Sequence, residues 1–198
     1  MRRRSGSVSQ GLPLFIIVIS LLPLFLICGG FLAWFLVLPS LQGGARWEAA
    51  NQSCPVLDTA IAARLGVATR AEEPASGRDV PVPVSSCRYR TAGAADVTLD
   101  VAVEVTTPGA LQDAHEKALD ELDESAARLV PIGEQRKDQI FGEPDVSIER
   151  LDMVSVVDNA VIEVKYGYPE DQPLDAAAKS ALRDPLQSVT DQAVANLG

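Results

Sequence analysis

Histidine is almost absent: the chain has one, His115, in 198 residues. A histidine-rich metal centre is excluded, and any Ser-His-Asp arrangement would hang on that single ring. His115 lies in AHEKALDELDES, beside Glu116 and four residues from both Leu111 and Leu119, the setting of a half-exposed helix residue and not of a general base. Nucleophile-elbow, phosphate-loop and zinc-ligand spacings are lacking too. Basic charge is also short, with 17 Lys and Arg against 27 Asp and Glu, a formal net charge of −10 and a pI near 4.5. That balance argues against nucleic acid as a partner. Carboxylates are abundant, but a hydrolase needs two of them held in a cleft with separated pKa values, and the sequence singles out no such pair. The chain reads as non-catalytic, with no cofactor and no metal.

Charge of either sign is missing between Arg4 and Arg46. Within that gap residues 12–38, LPLFIIVISLLPLFLICGGFLAWFLVL, are interrupted only by Pro13, Ser20, Pro23, Gly29 and Gly30. As a helix the run reaches ~40 Å against a hydrocarbon core of ~30 Å, so a tilted transmembrane helix, or one bent near Pro23, is expected. Gly43, Gly44 and Ala45 could form a signal-peptide cleavage site, but a secretory apolar region is shorter, so a retained anchor is the reading. Cys28 invites a lipoprotein reading that its context opposes, since the preceding residue is Ile27 and a largely apolar stretch follows before Pro39. Gly29 and Ala33 form a small-xxx-small pair through which two such helices could pack.

Arg2, Arg3 and Arg4 precede the apolar run and only Arg46 follows it closely, which places the N-terminus inside and the rest outside the cytoplasm. The division expected is a cytoplasmic basic tail over 1–11, a membrane helix over 12–38, a tether over 39–52 and an extracytoplasmic domain over 53–198. Beyond the membrane lie all 27 acidic residues and 14 basic ones (17 less Arg2, Arg3 and Arg4), a formal −13. Such a domain is soluble and repelled by anionic head groups. Trp34 and Trp47 suit the outer interface, with packing of Trp47 on the domain as the alternative.

In the outer part, Ser53 as cap and Pro55 in the first turn, followed by Leu57, Ile61 and Leu65 before Gly66, predict a helix of about ten residues. Residues 69–83 carry loop chemistry. Residues 86–90 predict a short strand, and 96–106 a clear one, because Val97, Leu99, Val101, Val103 and Val105 alternate with polar residues. Thr107 and Pro108 open a long helix with Leu111, Ala114, Ala118, Leu122, Ala126 and Leu129 on one side. Residues 146–151 and 153–157 read as strand, Asp158 and Asn159 as a turn, and 160–168 as the returning strand. A last helix from about Leu174 is kinked or restarted at Pro185. The order predicts an α+β fold, an antiparallel sheet with helices packed on it.

Cys54 and Cys87 are the two cysteines outside the membrane, and an even pair in an oxidising compartment predicts a disulfide. Asp120, Glu121, Asp123 and Glu124 could hold calcium but lack the loop geometry, so they read as a solvated helix face. In residues 133–144, GEQRKDQIFGEP, the adjacent positives Arg136 and Lys137 and the apolar Ile140 and Phe141 suggest a binding loop for an anionic or peptide partner; an ordinary loop anchored by Phe141 is the alternative.

The arrangement Ser53-Cys54-Pro55-Val56-Leu57, a helix ending at Leu65 and Gly66, a Pro-rich gap, Cys87-Arg88-Tyr89, a valine-alternating strand, a helix, a Gly-containing loop and the Asp158-Asn159 hairpin resembles an actinobacterial family of cell-envelope domains of unassigned function. Many of that family are lipoproteins. Lipidation does not carry over, because a transmembrane segment stands in place of the lipobox. The chain is more distantly similar to extracellular sensor domains of actinobacterial Ser/Thr kinases; with no kinase portion in this sequence, sensing on that pattern calls for a separate partner. The function expected is a single-pass, membrane-anchored, sensor-like binding module of the cell envelope, for an unknown protein or small-molecule partner. The alternative is an assembly subunit of an envelope membrane complex associating through its transmembrane helix.

Overall fold

The computed structural model describes residues 45–51, 53–72, 84–91, 96–109, 112–146 and 149–197. The expected basic tail and membrane helix, with Gly29 and Ala33, lie outside the described residues. Among the described residues no helix is long and apolar enough to cross a membrane.

Six antiparallel strands form one sheet: β1 (Val84–Arg90), β2 (Thr98–Val105), β3 (Leu129–Pro131), β4 (Gln139–Pro144), β5 (Arg150–Val157) and β6 (Ala160–Gly167). Their order is β1-β2-β6-β5-β4-β3. The described helices are α1 (Thr59–Leu65), α2 (Ala114–Ala126), α3 (Ala176–Ala181) and α4 (Arg183–Leu197). The α+β architecture and the Cys54–Cys87 disulfide are as the sequence predicts.

Alternation on the strands divides the apolar residues between two faces. Leu99, Val101, Val103 and Val105 of β2 join Leu151, Ile162 and Val164 in a core closed by Leu65 of α1 and by Leu186, Val189 and Ala193 of α4. The opposite face holds a smaller cluster, Ala118 and Leu122 of α2 on Val154, Val156 and Val161. A 13-residue helix is too short to cover six strands, so much of that second face is left to polar residues.

Several boundaries differ from expectation for local reasons. The first helix starts at Thr59 and not near Ser53, because Asp58 caps it, its side chain accepting from the amides of Ala60 and Ile61. Pro55 lies ahead of the helix, where Tyr89 Oη donates to its carbonyl at 2.7 Å. The second helix starts at Ala114, six residues after Pro108: Asp113 and Glu116 form a capping box there. Leu129, expected on that helix, begins β3. Residues 133–144, expected as loop, contribute β4, which hydrogen-bonds to both β3 and β5. Val146, expected in a strand, sits in a turn and is 95% exposed. The last helix is interrupted at Leu182 and resumes at Arg183, two residues before Pro185.

Residues 46–51 of the expected tether belong to the folded unit. Trp47 and Ala50 are buried in the main core. The amide of Trp47 donates to Asn159 Oδ1 at 3.1 Å, and Asn159 Nδ2 donates back to the Trp47 carbonyl at 2.9 Å.

Candidate functional site

Helix α2 runs from the β5–β6 turn, where the Thr106 hydroxyl donates to the carbonyl of Ala114, to the end of β4, where the Asp145 amide donates to the carbonyl of Arg128. Two adjoining hollows lie between its C-terminal half and the uncovered part of the sheet, and they share Ser125, Arg128, Val154, Glu163 and Lys165. Together they make one groove. The part beyond the helix end has a volume of about 330 Å³, and the part along its flank about 460 Å³.

Strand periodicity puts charge on the groove floor. Arg150 and Asp152 are two apart on β5, as are Glu163 and Lys165 on β6, so each pair shares a face. Arg150 Nη2 donates to Asp152 Oδ2 at 3.0 Å. Arg150 Nε lies 2.8 Å from Asp152 Oδ1, an ion-pair contact outside hydrogen-bonding alignment, and both atoms are shielded from water. The Lys165 ammonium sits 2.8 Å from a Glu163 carboxylate oxygen. The Asp152 side chain is only 4% exposed. Burial raises its pKa above the ordinary carboxylate value, outweighing the opposing pull of Arg150, and Glu163 adds to the rise.

Along the flank stand Glu104 of β2 and Glu121 and Glu124 of α2. The Glu121 carboxyl is raised, first by burial and then by Glu104, against the lowering influence of Lys117. At the helix end Arg128 is exposed, and its side chain has no ion-pair partner among the described residues. The groove therefore offers unneutralised groups of both signs beside two internally paired ones. That is the equipment of a polar recognition surface.

Of the residues singled out from sequence, Glu121 and Glu124 line the groove and the others fall elsewhere. Cys54 and Cys87 are joined and serve the core. Arg136 and Lys137 are exposed at the turn between β3 and β4, but Ile140 and Phe141 do not accompany them. As neighbours on a strand they point to opposite faces: Ile140 packs with the α2 cluster, and Phe141 is fully buried in the main core. The turn itself is tied down by Gln135, whose Oε1 accepts from the Phe141 amide at 2.7 Å while Nε2 donates to the carbonyl of Ile132 at 3.2 Å. The structure thus divides these four residues between the exposed turn and the two faces of β4.

His115 is exposed, and its Nδ1–H donates to the Asp158 carbonyl oxygen at 2.6 Å. The acidic stripe is split: Glu121 faces the groove, while Asp120 accepts from Gln112. No group of three His, Cys, Asp or Glu is placed to hold a metal among the described residues.

Sequence reasoning missed Glu104, Arg128, Arg150, Asp152 and Lys165, which come from three strands and the turn after α2. The signal available was the strength of the polar positions: the outward members of β2, β5 and β6 include Asp100, Asp152, Glu163 and Lys165, where serine or threonine would serve a merely wet face. No family model, curated protein or solved structure matches the chain.

Proposed function

We propose that this chain is a single-pass membrane protein displaying its disulfide-tied domain outside the cytoplasm as a non-catalytic binding module of the cell envelope, with the α2 groove as its site. The observation that carries the reading is the groove: an open, half-charged hollow on a sheet face that the fold leaves uncovered, with a nearly inaccessible carboxylate in its floor. Keeping Asp152 there opposes folding, and clefts are where such groups serve recognition. The uncharged run over 12–38, the arginines before it and the oxidised cysteine pair support the anchored, outside placement.

One engineered thiol tests both halves. Ser125→Cys is made in the full chain carrying Cys28→Ser, and intact cells are treated with a membrane-impermeant maleimide. Modification without lysis is expected, at a rate slowed by soluble envelope fractions. Adding Ala102→Trp, which fills the groove from β2, should abolish the slowing. Labelling only after lysis would refute the placement, and a rate that no fraction alters would refute the site.

A further inference from the structure

Helix α2 ends on the groove and begins on a buried turn. Its seat on the sheet is light: of its 13 residues the buried ones are Ala114, Ala118 and Leu122. Ser125 and Arg128, at and just past its C-terminal end, line the groove. At the other end the Thr106 hydroxyl donates to the Ala114 carbonyl at 2.6 Å, and His115 Nδ1–H donates to the Asp158 carbonyl at 2.6 Å. Between the two ends the helix is a rigid rod of ~18 Å, at ~1.5 Å per residue.

The β5–β6 turn that receives these bonds also holds residues 46–51. Asn159 Oδ1 accepts from the Trp47 amide, Asn159 Nδ2 donates to the Trp47 carbonyl, and Arg46 donates to Asp158 Oδ2. The turn has no slack: only Asp158 and Asn159 separate the paired Val157 and Ala160, and Asp158 has a φ of 49°, the one positive value outside glycine among the described residues. Thr106 and Asn159 are each 2% exposed, with Asn159 Nδ2 donating to the Thr106 carbonyl and the Thr106 amide to the Asn159 carbonyl. Shut off from water, these groups have no solvent partner to fall back on, so a shift of one is carried to the next.

Resting on the binding reading above for what fills the groove, we propose that α2 is a lever: a ligand that clamps or displaces its C-terminal end alters, through Thr106, Asp158 and Asn159, how firmly the fold holds residues 46–51. The fulcrum is Ala118 and Leu122 on Val154, Val156 and Val161. Residues 46–51 follow the uncharged run over 12–38, so occupancy of the groove is passed to the stretch of the domain that adjoins that run. Such coupling is reciprocal, and a firmly held segment in turn steadies the groove wall.

The test uses the full chain in detergent micelles and reads hydrogen exchange of the Trp47 amide, the donor to Asn159. Leu122→Ala unseats the groove end of α2, and it is expected to speed that exchange at least ~tenfold, although Leu122 and Trp47 belong to different apolar clusters. In a background of Thr106→Val and His115→Ala, which cuts both side-chain bonds from α2 and leaves those between Asn159 and Trp47, the same substitution should change the Trp47 rate less than ~twofold. If that background does not fold, His115→Ala alone, at an exposed residue, should at least halve the response. No acceleration by Leu122→Ala overturns the proposal. So does an equal acceleration with the bonds cut, which would mean that lost packing spreads through the whole fold and not through the turn. Both outcomes are read without a ligand, so they are separate from the maleimide labelling of Ser125→Cys, whose indifference to every envelope fraction would remove the binding reading and leave the lever without an input.

Discussion

Asp152 and Tyr89 show what burial does to single groups. The Asp152 pKa is higher in the fold than in the unfolded chain, so its contribution to stability is full below the unfolded carboxylate value of ~4 and is lost as pH rises through the raised one. Asp152→Asn is expected to flatten that part of the stability–pH profile, read by urea unfolding, and to change stability at pH 7 by no more than ~1 kcal/mol, since Arg150 is 40% exposed and can turn to water. A loss of ~3 kcal/mol or more would show that the ion pair outweighs the desolvation. Tyr89 is fully buried, and burial pushes its phenol up to about 12. The unfolded phenol ionises near 10, so stability falls between about pH 10 and about pH 12. Phenolate absorbance should therefore lag behind that of a free tyrosine, and Tyr89→Phe should weaken the lag while costing ~1 kcal/mol through its lost bond to the Pro55 carbonyl.

Between elements, the disulfide joins the stretch before α1 to the edge strand β1 across 33 residues. Removing a cross-link of that span releases loop entropy equivalent to ~3–4 kcal/mol, so the double variant Cys54→Ser, Cys87→Ser should lower the urea midpoint and steepen the transition, because the denatured chain without its cross-link exposes more surface. At this scale the sequence was legible wherever one periodicity ran unbroken. The alternating valines of β2, the Asp158-Asn159 turn and the cysteine pair were all recoverable from spacing. The β3–β4 hairpin was not, because Pro131, Gly133, Gly142 and Pro144 punctuate it like a loop. Gly142 is needed for a different reason: a Cβ there would collide with the backbone of Val130. Capping also overrode the Pro-based helix starts, since Asp58 and Asp113 satisfy the amides that Pro55 and Pro108 leave to others. The groove was illegible for a deeper cause: its charges come from β2, α2, β5 and β6, and only the strand register brings them together.

The folded unit as a whole is closed by a residue that neither core contains. Asn159, 2% exposed at the β5–β6 turn, binds the Trp47 backbone through its amide group and donates to the Thr106 carbonyl at 2.9 Å, while its own carbonyl accepts from the Thr106 amide at 2.8 Å. Arg46 adds a salt bridge to Asp158 at 2.7 Å, with its guanidinium 4.7 Å from the Trp47 ring centre. That exposed pair contributes little, so the attachment of residues 46–51 rests on Asn159 and on the burial of Trp47 and Ala50. Asn159→Ala removes the three side-chain hydrogen bonds and leaves buried backbone groups unsatisfied, for an expected loss of ~2–4 kcal/mol. Hydrogen exchange separates the two ways such a loss can arise. If the segment is a strap that opens by itself, the Trp47 amide exchanges faster in the variant while amides of α2 and β6 keep their ranking. If it is part of one cooperative unit, all accelerate together. The shared burial of Trp47 with Leu186 and Val189 in the main core favours the second outcome, so the residues that follow the apolar run act on the fold as core and not as linker.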